Sequence, residues 1–164
     1  MHNTIWYSTI NLNKFCNDHD LEACAIQLII LPNIYNILCI YRPPTGNFTT
    51  FLMHLEAILT QLHTNASNLI VCGDINLNYL QDSRNKSLLN SLLASFNLYS
   101  SSTTIDNIFI NKNKNKDYSI ILISNGLSDH DAQITQLHDV DIPTQQIKPS
   151  NKRVINEATI AHSK

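Results

Sequence analysis

Apolar residues recur along this chain at two spacings, one typical of helices and one typical of buried strands. Over Phe48–Leu62 they fall at i, i+3, i+4 and i+7, which predicts an amphipathic helix. A second helix is predicted at about residues 83–96, where four leucines and Phe96 share one face. Short apolar runs bounded by turn residues predict strands at residues 20–31, 34–41, 69–72, 104–111, 118–123 and 132–137.

Strands in this order, interrupted by two helices, predict an α/β layered sandwich. The first two strands read as a hairpin broken at Pro32. From residue 140 the sequence is polar and aperiodic and contains two prolines. We therefore expect one domain over residues 1–139, followed by a polar tail or linker over residues 140–164.

The charge of the chain argues against tight, non-specific DNA binding by this polypeptide alone. Thirteen acidic residues outnumber eleven lysines and arginines, which gives a formal net charge of −2 and a pI of about 6.3. A protein that holds DNA through its phosphates usually carries a basic face. The alternating lysines of residues 112–116 are interpreted as a solvated loop, with steering of DNA as the alternative.

Cysteine usage and hydropathy favour an intracellular protein. Of the four cysteines, Cys24, Cys39 and Cys72 lie in apolar runs, which predicts reduced, buried thiols. The N-terminus lacks the apolar region of a signal peptide. No apolar stretch approaches the roughly 20 residues that a membrane helix needs. We therefore expect an intracellular protein with no membrane partner.

Candidate chemistry follows the predicted strand at residues 69–72. Gly73 turns the chain, and Asp74 and Asn76 emerge two residues apart, a spacing that puts side chains on the same side of an extended segment. Further along, Asp129 and His130 add a carboxylate and an imidazole. Carboxylates, an amide and a histidine at strand ends suit metal-assisted phosphoester hydrolysis.

Four segments, in this order, carry a resemblance to a known family. Residues 39–48 read CIYRPPTGNF, residues 71–76 VCGDIN, residues 104–109 TIDNIF and residues 127–132 LSDHDA. The stretch from about residue 12 to about residue 137 resembles the endonuclease/exonuclease/phosphatase superfamily, and most closely the endonuclease domain of insect non-LTR retrotransposons. This resemblance implies a partial four-layer α/β/β/α sandwich of the DNase-I-like type, with mixed sheets and two main helices.

The resemblance also implies roles for particular side chains. Asp74 would position or deprotonate the attacking water, and Asn76 would hold the phosphate and the nucleophile. His130 would contact the scissile phosphate and pair with Asp106. The hydroxyl of Tyr41 would reach the same phosphate.

A divalent cation is implied as well. Asp129 matches a position that binds the metal or lies beside a ligand, and oxygen ligands suit Mg²⁺ or Mn²⁺. The family's principal metal-binding glutamate, however, has no counterpart in the 164 residues. Glu22 matches a different strand of the family and is not assigned that role. The stretch around residues 98–101 is also shorter than in relatives, which indicates a deleted substrate loop.

We interpret the chain as a fragment of a metal-dependent endonuclease that nicks DNA for retrotransposition. Its partners through the parent element would be DNA and a reverse transcriptase domain, and an active parent would work in the nucleus. Because a metal ligand is missing, we expect the chain to be inactive by itself. The alternatives are a non-enzymatic remnant or binding module, and a phosphatase or phosphodiesterase of the same superfamily.

Overall fold

A computed structural model describes residues 5–17, 19–63, 67–79, 81–100, 106–111, 118–123 and 132–138. Two α-helices, one short 3-10 helix (Asn13–Phe15) and eight strands are found in these ranges. The α-helices are α1 (Phe48–Leu62) and α2 (Arg84–Ser95). The strands are β1 (Trp6–Ile10), β2 (Glu22–Ile30), β3 (Asn33–Tyr41), β4 (Ser67–Asp74), β5 (Leu98–Ser100), β6 (Asp106–Asn111), β7 (Tyr118–Ile123) and β8 (Ala132–Leu137).

Six of these strands form one mixed sheet in the order β1-β2-β3-β4-β6-β5. β2 and β3 form an antiparallel hairpin around a cis Leu31–Pro32 bond. β3 and β4 run parallel because α1 carries the chain back across one face of the sheet. β4 and β6 are antiparallel. The carboxyl ends of β3 and β4 therefore meet the start of β6 at one edge.

Both α-helices cover the same face of this sheet. Asn47 caps α1, and its side chain accepts hydrogen bonds from the backbone N–H groups of Thr49 and Thr50. Ser83 caps α2 in the same way through the N–H of Lys86. The apolar stripes of the helices pack on inward residues of the central strands, and the core includes Phe51, Leu55, Ile58, Leu59, Leu38, Val71, Leu89, Leu93 and Phe109.

The opposite face of the large sheet carries β7 and β8, which form a two-stranded antiparallel sheet. Residues Tyr118, Ile120 and Leu137 pack against a smaller cluster that includes Ile70 and Ile110. Two layers of strands and one layer of helices are thus stacked, as expected for part of an α/β/β/α sandwich. No helix in the described ranges is long and apolar enough to cross a membrane.

The cysteine prediction is partly wrong. Cys24 and Cys39 are exposed, and Cys72 is only partly buried, although all four thiols are unpaired. Cys24, Cys39 and Cys72 are direct neighbours across β2, β3 and β4, on the face opposite the helices. The apolar runs correctly indicated that β2, β3 and β4 are buried on the face that the helices cover. They could not indicate that the opposite face is exposed at Cys24 and Cys39.

The sequence predicted α1 at its observed bounds, and it predicted α2, the β2–β3 hairpin, β7 and β8 to within about two residues. It missed the short strands β1 and β5. It also ended β4 too early, because Gly73 and Asp74 still pair with Ile40 and Tyr41 of β3. The predicted tail over residues 140–164 lies outside the described residues.

Candidate functional site

Four residues whose side chains could take part in catalysis are paired across neighbouring strands, at the edge of the large sheet where β3 and β4 end. Tyr41 is the cross-strand partner of Glu22 on β2 and of Asp74 on β4. Asp74 is in turn the partner of Asp106 on β6. Neighbouring strands lie roughly 4.8 Å apart. The strand pairing therefore brings the backbone positions of three predicted site residues (Tyr41, Asp74 and Asp106) to adjacent places.

Gly73 allows β3 and β4 to approach each other at this edge. Its φ of +129° is one that residues with a side chain rarely adopt. A Cβ built on Gly73 would overlap the carbonyl oxygen of Ile40. The glycine is thus required by the backbone contact that aligns Tyr41 with Asp74.

Asp74 and Asn76 do come together, but through a turn and not through an extended segment. The backbone N–H of Asn76 donates to Oδ1 of Asp74 at 2.8 Å, and Nδ2 of Asn76 donates to Oδ2 of Asp74 at 3.0 Å. Asn76 has a φ of +51°, in the left-handed region. A carboxylate that accepts a hydrogen bond from the backbone N–H two residues further on forms an Asx turn. The prediction from strand alternation therefore named the correct neighbours, but the extended segment on which it was based is wrong.

Arg42 lies beneath this turn and was not predicted as a site residue. Its guanidinium donates to four backbone carbonyl oxygens: Nε to Ile75 at 2.7 Å, Nη2 to Asn76 at 2.8 Å, and Nη1 to Pro43 and Gly46 at 3.2 Å each. The residue is only 6% exposed. The signal in the sequence was an arginine at the end of an apolar strand, where a buried charge needs several hydrogen bonds.

Aromatic rings and a carboxylate define the surroundings of this guanidinium. Its central carbon lies 5.5 Å from the ring centroid of Phe48 and 5.9 Å from that of Phe51. Burial lowers the pKa of Arg42, and the nearby charge of Asp74 acts in the opposite direction. The site thus contains a fixed, buried positive charge close to the Asp74 carboxylate.

A second contact secures the loop between β3 and α1. Oδ1 of Asp20 accepts a hydrogen bond from the backbone N–H of Asn47 at 2.7 Å, and Nδ2 of Asn17 donates to Oδ2 of the same carboxylate at 3.1 Å. A Cβ on Gly46 would lie 2.6 Å from the carbonyl oxygen of His19. The local sequence does not predict this role of Asp20, because nothing in it links Asp20 to residues 46 and 47.

Beside Tyr41, a cleft of about 240 Å³ is lined by Glu22, Ala23, Cys24, Cys39, Ile40 and Tyr41. Burial is the main cause that raises the pKa of the neighbouring Cys72 thiol to about 12, and the adjacent Cys39 adds to it. The pKa of Cys24 is raised by the same two causes. These two thiols are therefore neutral at pH 7 and add no negative charge beside Tyr41 and Asp74.

The remaining predicted residues are placed as follows. Tyr41 is 41% exposed, so its side chain is open to a ligand. Asp74 and Asn76 are half-buried. Asp129 and His130 lie outside the described residues. Within the described ranges, no three side chains among histidine, cysteine, aspartate and glutamate are arranged to hold a metal ion.

Comparisons with known proteins bear on the fold. The sequence matches no protein-family model and no curated protein. The structure is similar to the endonuclease domain of TRAS1, a telomere-specific non-LTR retrotransposon, with a TM-score of 0.63 and 12% identity over 80% of this chain and 68% of that chain. Weaker similarities are found to humanized D. rerio TDP2 (TM-score 0.45, 12% identity, 72% and 54% covered) and to the catalytic domain of human Nocturnin with bound sulfate (TM-score 0.43, 16% identity, 83% and 55% covered).

The similarity to the TRAS1 domain rests on backbone geometry, since the two sequences share few residues. A TM-score of 0.63 over 80% of this chain indicates a shared fold. The fold of this chain is therefore DNase-I-like.

Proposed function

We propose that this chain is part of an endonuclease that hydrolyses a phosphodiester bond of DNA and so nicks it. The observation that carries the proposal is the Asp74–Asn76 turn, a half-buried carboxylate fixed by two hydrogen bonds at the edge where Tyr41 and Asp106 also lie. Support comes from the DNase-I-like fold and from the four sequence segments. The role in retrotransposition belongs to the same proposal.

Asp74 would act on the attacking water. Each carboxylate oxygen can accept about two hydrogen bonds, and Asn76 uses one on each. Among the residues that the structure describes, one acceptor site on each oxygen is left to orient a water molecule or to take its proton. Because the turn holds the carboxylate in place beforehand, little reorganisation is needed when the water binds.

Asn76 would act mainly through Asp74. Its two amide hydrogens already go to Oδ2 of Asp74 and to the carbonyl oxygen of Arg42, at 3.0 and 2.9 Å. A direct contact from Nδ2 to a phosphate would require one of these bonds to be exchanged. Tyr41, with its exposed ring, is the better donor to a phosphate oxygen among the described residues.

The rest of the chemistry depends on residues beyond the described ranges. His130 would contact the phosphate and pair with Asp106, and the carboxylate would hold the imidazole in one tautomer. Asp129 would offer an oxygen ligand to Mg²⁺ or Mn²⁺. The described side chains by themselves form no group of three that could hold this ion.

We further propose that the chain is inactive without a segment that supplies the family's metal-binding glutamate. The loss of a principal metal ligand commonly costs several orders of magnitude in rate. DNA and a reverse transcriptase domain would be partners of the complete element, which would act in the nucleus. A non-enzymatic remnant or binding module is the competing function.

Nicking of supercoiled plasmid separates these functions. We expect no nicking by the purified chain in Mg²⁺, and nicking when the first half of a related endonuclease domain is fused ahead of residue 5. The junction lies there because β1 pairs with β2 and must be kept. In the fused protein, Asp74→Asn should abolish nicking, while Asp82→Asn, at an exposed position of the loop before α2, should not.

Two results would contradict the proposal. Strong cleavage by the unextended chain that Asp74→Ala abolishes would show that no upstream glutamate is needed. A well-folded fusion that binds DNA and never nicks it would favour the binding module.

A further inference from the structure

Arg42 connects the two loops that build the edge of the site. Two of its hydrogen bonds go to the carbonyl oxygens of Ile75 and Asn76, after β4, and two go to those of Pro43 and Gly46, after β3. The connection is reciprocal, because Nδ2 of Asn76 donates to the carbonyl oxygen of Arg42 at 2.9 Å. The backbone N–H of Arg42 also donates to the carbonyl oxygen of Asp74 at 2.9 Å.

We propose that Arg42 is a positioning residue that holds Asn76 in its left-handed conformation and thereby fixes the Asp74 carboxylate, and that lysine cannot replace it. The inference rests on the proposed function insofar as it treats Asp74 as catalytic. It concerns a residue that acts through its neighbours and does not itself touch the substrate.

The conformation of Asn76 explains why support is needed. A residue with a side chain at positive φ is disfavoured, and it persists where the surrounding structure determines it. The guanidinium donates to the carbonyl oxygen of Ile75, which precedes the Asn76 nitrogen, and to that of Asn76 itself, which follows its α-carbon. Two consecutive peptide groups are therefore held, and the Asn76 N–H is left pointing to Asp74.

The shape of the guanidinium is essential to this arrangement. Its five N–H donors lie in one plane, and here three nitrogens reach four acceptors in two loops. The plane is further restrained by Phe48 and Phe51. A lysine ammonium has a similar charge, but it is a compact point with three donors and cannot span the same acceptors.

The positive charge is also placed without blocking the carboxylate. All four guanidinium bonds end on backbone carbonyl oxygens, while both oxygens of Asp74 accept from Asn76. Arg42 thus places its positive charge near Asp74 and leaves acceptor sites of the carboxylate open to water. A direct Arg–Asp pair would have occupied those sites.

Hydrogen exchange of individual amides tests the inference on the full chain, with no need for catalysis. In Arg42→Lys, we expect the backbone N–H and the side-chain amide of Asn76 to exchange about tenfold faster or more, since a lost buried hydrogen bond commonly changes an equilibrium by that factor. The backbone amides of Leu38 and Val71, in the centre of the sheet, should stay within about twofold of their original rates. Arg84→Lys, at an exposed position at the start of α2, is the matched control and should change neither set.

The comparison of sites separates positioning from general stability. If all amides of the sheet accelerate together, Arg42 is merely a structural residue and the inference fails. It also fails if Asn76 keeps its protection in Arg42→Lys.

A second variant covers the case in which Arg42→Lys does not fold. In Asn76→Gly, which tolerates the same φ, the Nε–H of Arg42 should remain slowly exchanging because its bond to the Ile75 carbonyl is kept. Fast exchange there would overturn the inference.

The outcomes also distinguish this inference from the proposed function. If Asn76 is released in Arg42→Lys and the fused protein never nicks DNA, the proposed function fails and the positioning role stands. If the fused protein nicks DNA and Asn76 is unaffected by Arg42→Lys, the proposed function stands and the positioning role fails.

Discussion

Asn76 shows how far a residue's role can be deduced from sequence. The pair Asp74 and Asn76 was identifiable because a glycine and two polar residues directly follow an apolar strand. The left-handed turn that joins them was not, because it depends on hydrogen bonds from Arg42, more than 30 positions earlier in the chain. Residue types at a strand end can be read locally, whereas the geometry that makes them a site is set by distant contacts.

Gly73 supports a prediction at the same scale. Gly73→Ala should lower the free energy of unfolding by about 2–4 kcal/mol, because an alanine is strained at this φ and its methyl group would overlap the Ile40 carbonyl. Urea denaturation followed by circular dichroism would measure it. Met53→Ala, at an exposed position of α1, should stay within about 0.5 kcal/mol. A Gly73→Ala protein as stable as the unmodified chain would contradict the described approach of β3 and β4.

Among the elements, those with a strong period were predicted best. α1 has seven apolar residues at helical spacing and a capping asparagine before them, so both its face and its start were defined by local sequence. β1 and β5 lie at the two edges of the sheet and have only five and three residues. Four of the five β1 residues are exposed. Such strands are specified by the neighbour with which they pair, and no alternation of apolar and polar residues reveals them.

The start of α1 gives a prediction for an element. Asn47→Ala should cost about 1–2 kcal/mol of stability, since the cap accepts two backbone N–H groups at the start of a helix that is packed on the core. Asn47→Asp should retain most of the stability, because its carboxylate can accept the same bonds. Ser83→Ala, which removes the single cap bond of α2, should cost less. Equal losses of stability for Asn47→Ala and Ser83→Ala in urea denaturation would show that the second cap bond of Asn47 does not stabilise the protein.

Across the whole molecule, the apolar surface is unevenly covered. The helices shield one face of the large sheet, while Ile26 and Cys39 on the other face are exposed. Large apolar side chains are also exposed on the edge strand β1 and on the smaller sheet, among them Trp6, Tyr7, Ile121, Ile123 and Ile134. Apolar patches and strand edges of this kind favour association.

We therefore expect a marginally stable chain that associates. Its thermal unfolding should be broad and centred below about 60 °C, within the range of mesophilic domains. Light scattering should show species larger than a monomer that grow with concentration. A monodisperse monomer with a cooperative transition above about 60 °C would mean that the strands of this chain form a sufficient core by themselves.

The central claim is that Tyr41, Asp74, Asn76, Asp106, Asp129 and His130 belong to one site. Strand pairing accounts for the backbone positions of Tyr41, Asp74 and Asp106, and the Asx turn adds Asn76. The most direct test is an experimental structure, by crystallography or NMR, of the chain alone or of the fused protein. We predict that the His130 imidazole lies within hydrogen-bond distance of the Asp106 carboxylate and on the same side of the sheet as Asp74. A structure with His130 and Asp74 on opposite faces of the large sheet would contradict the claim.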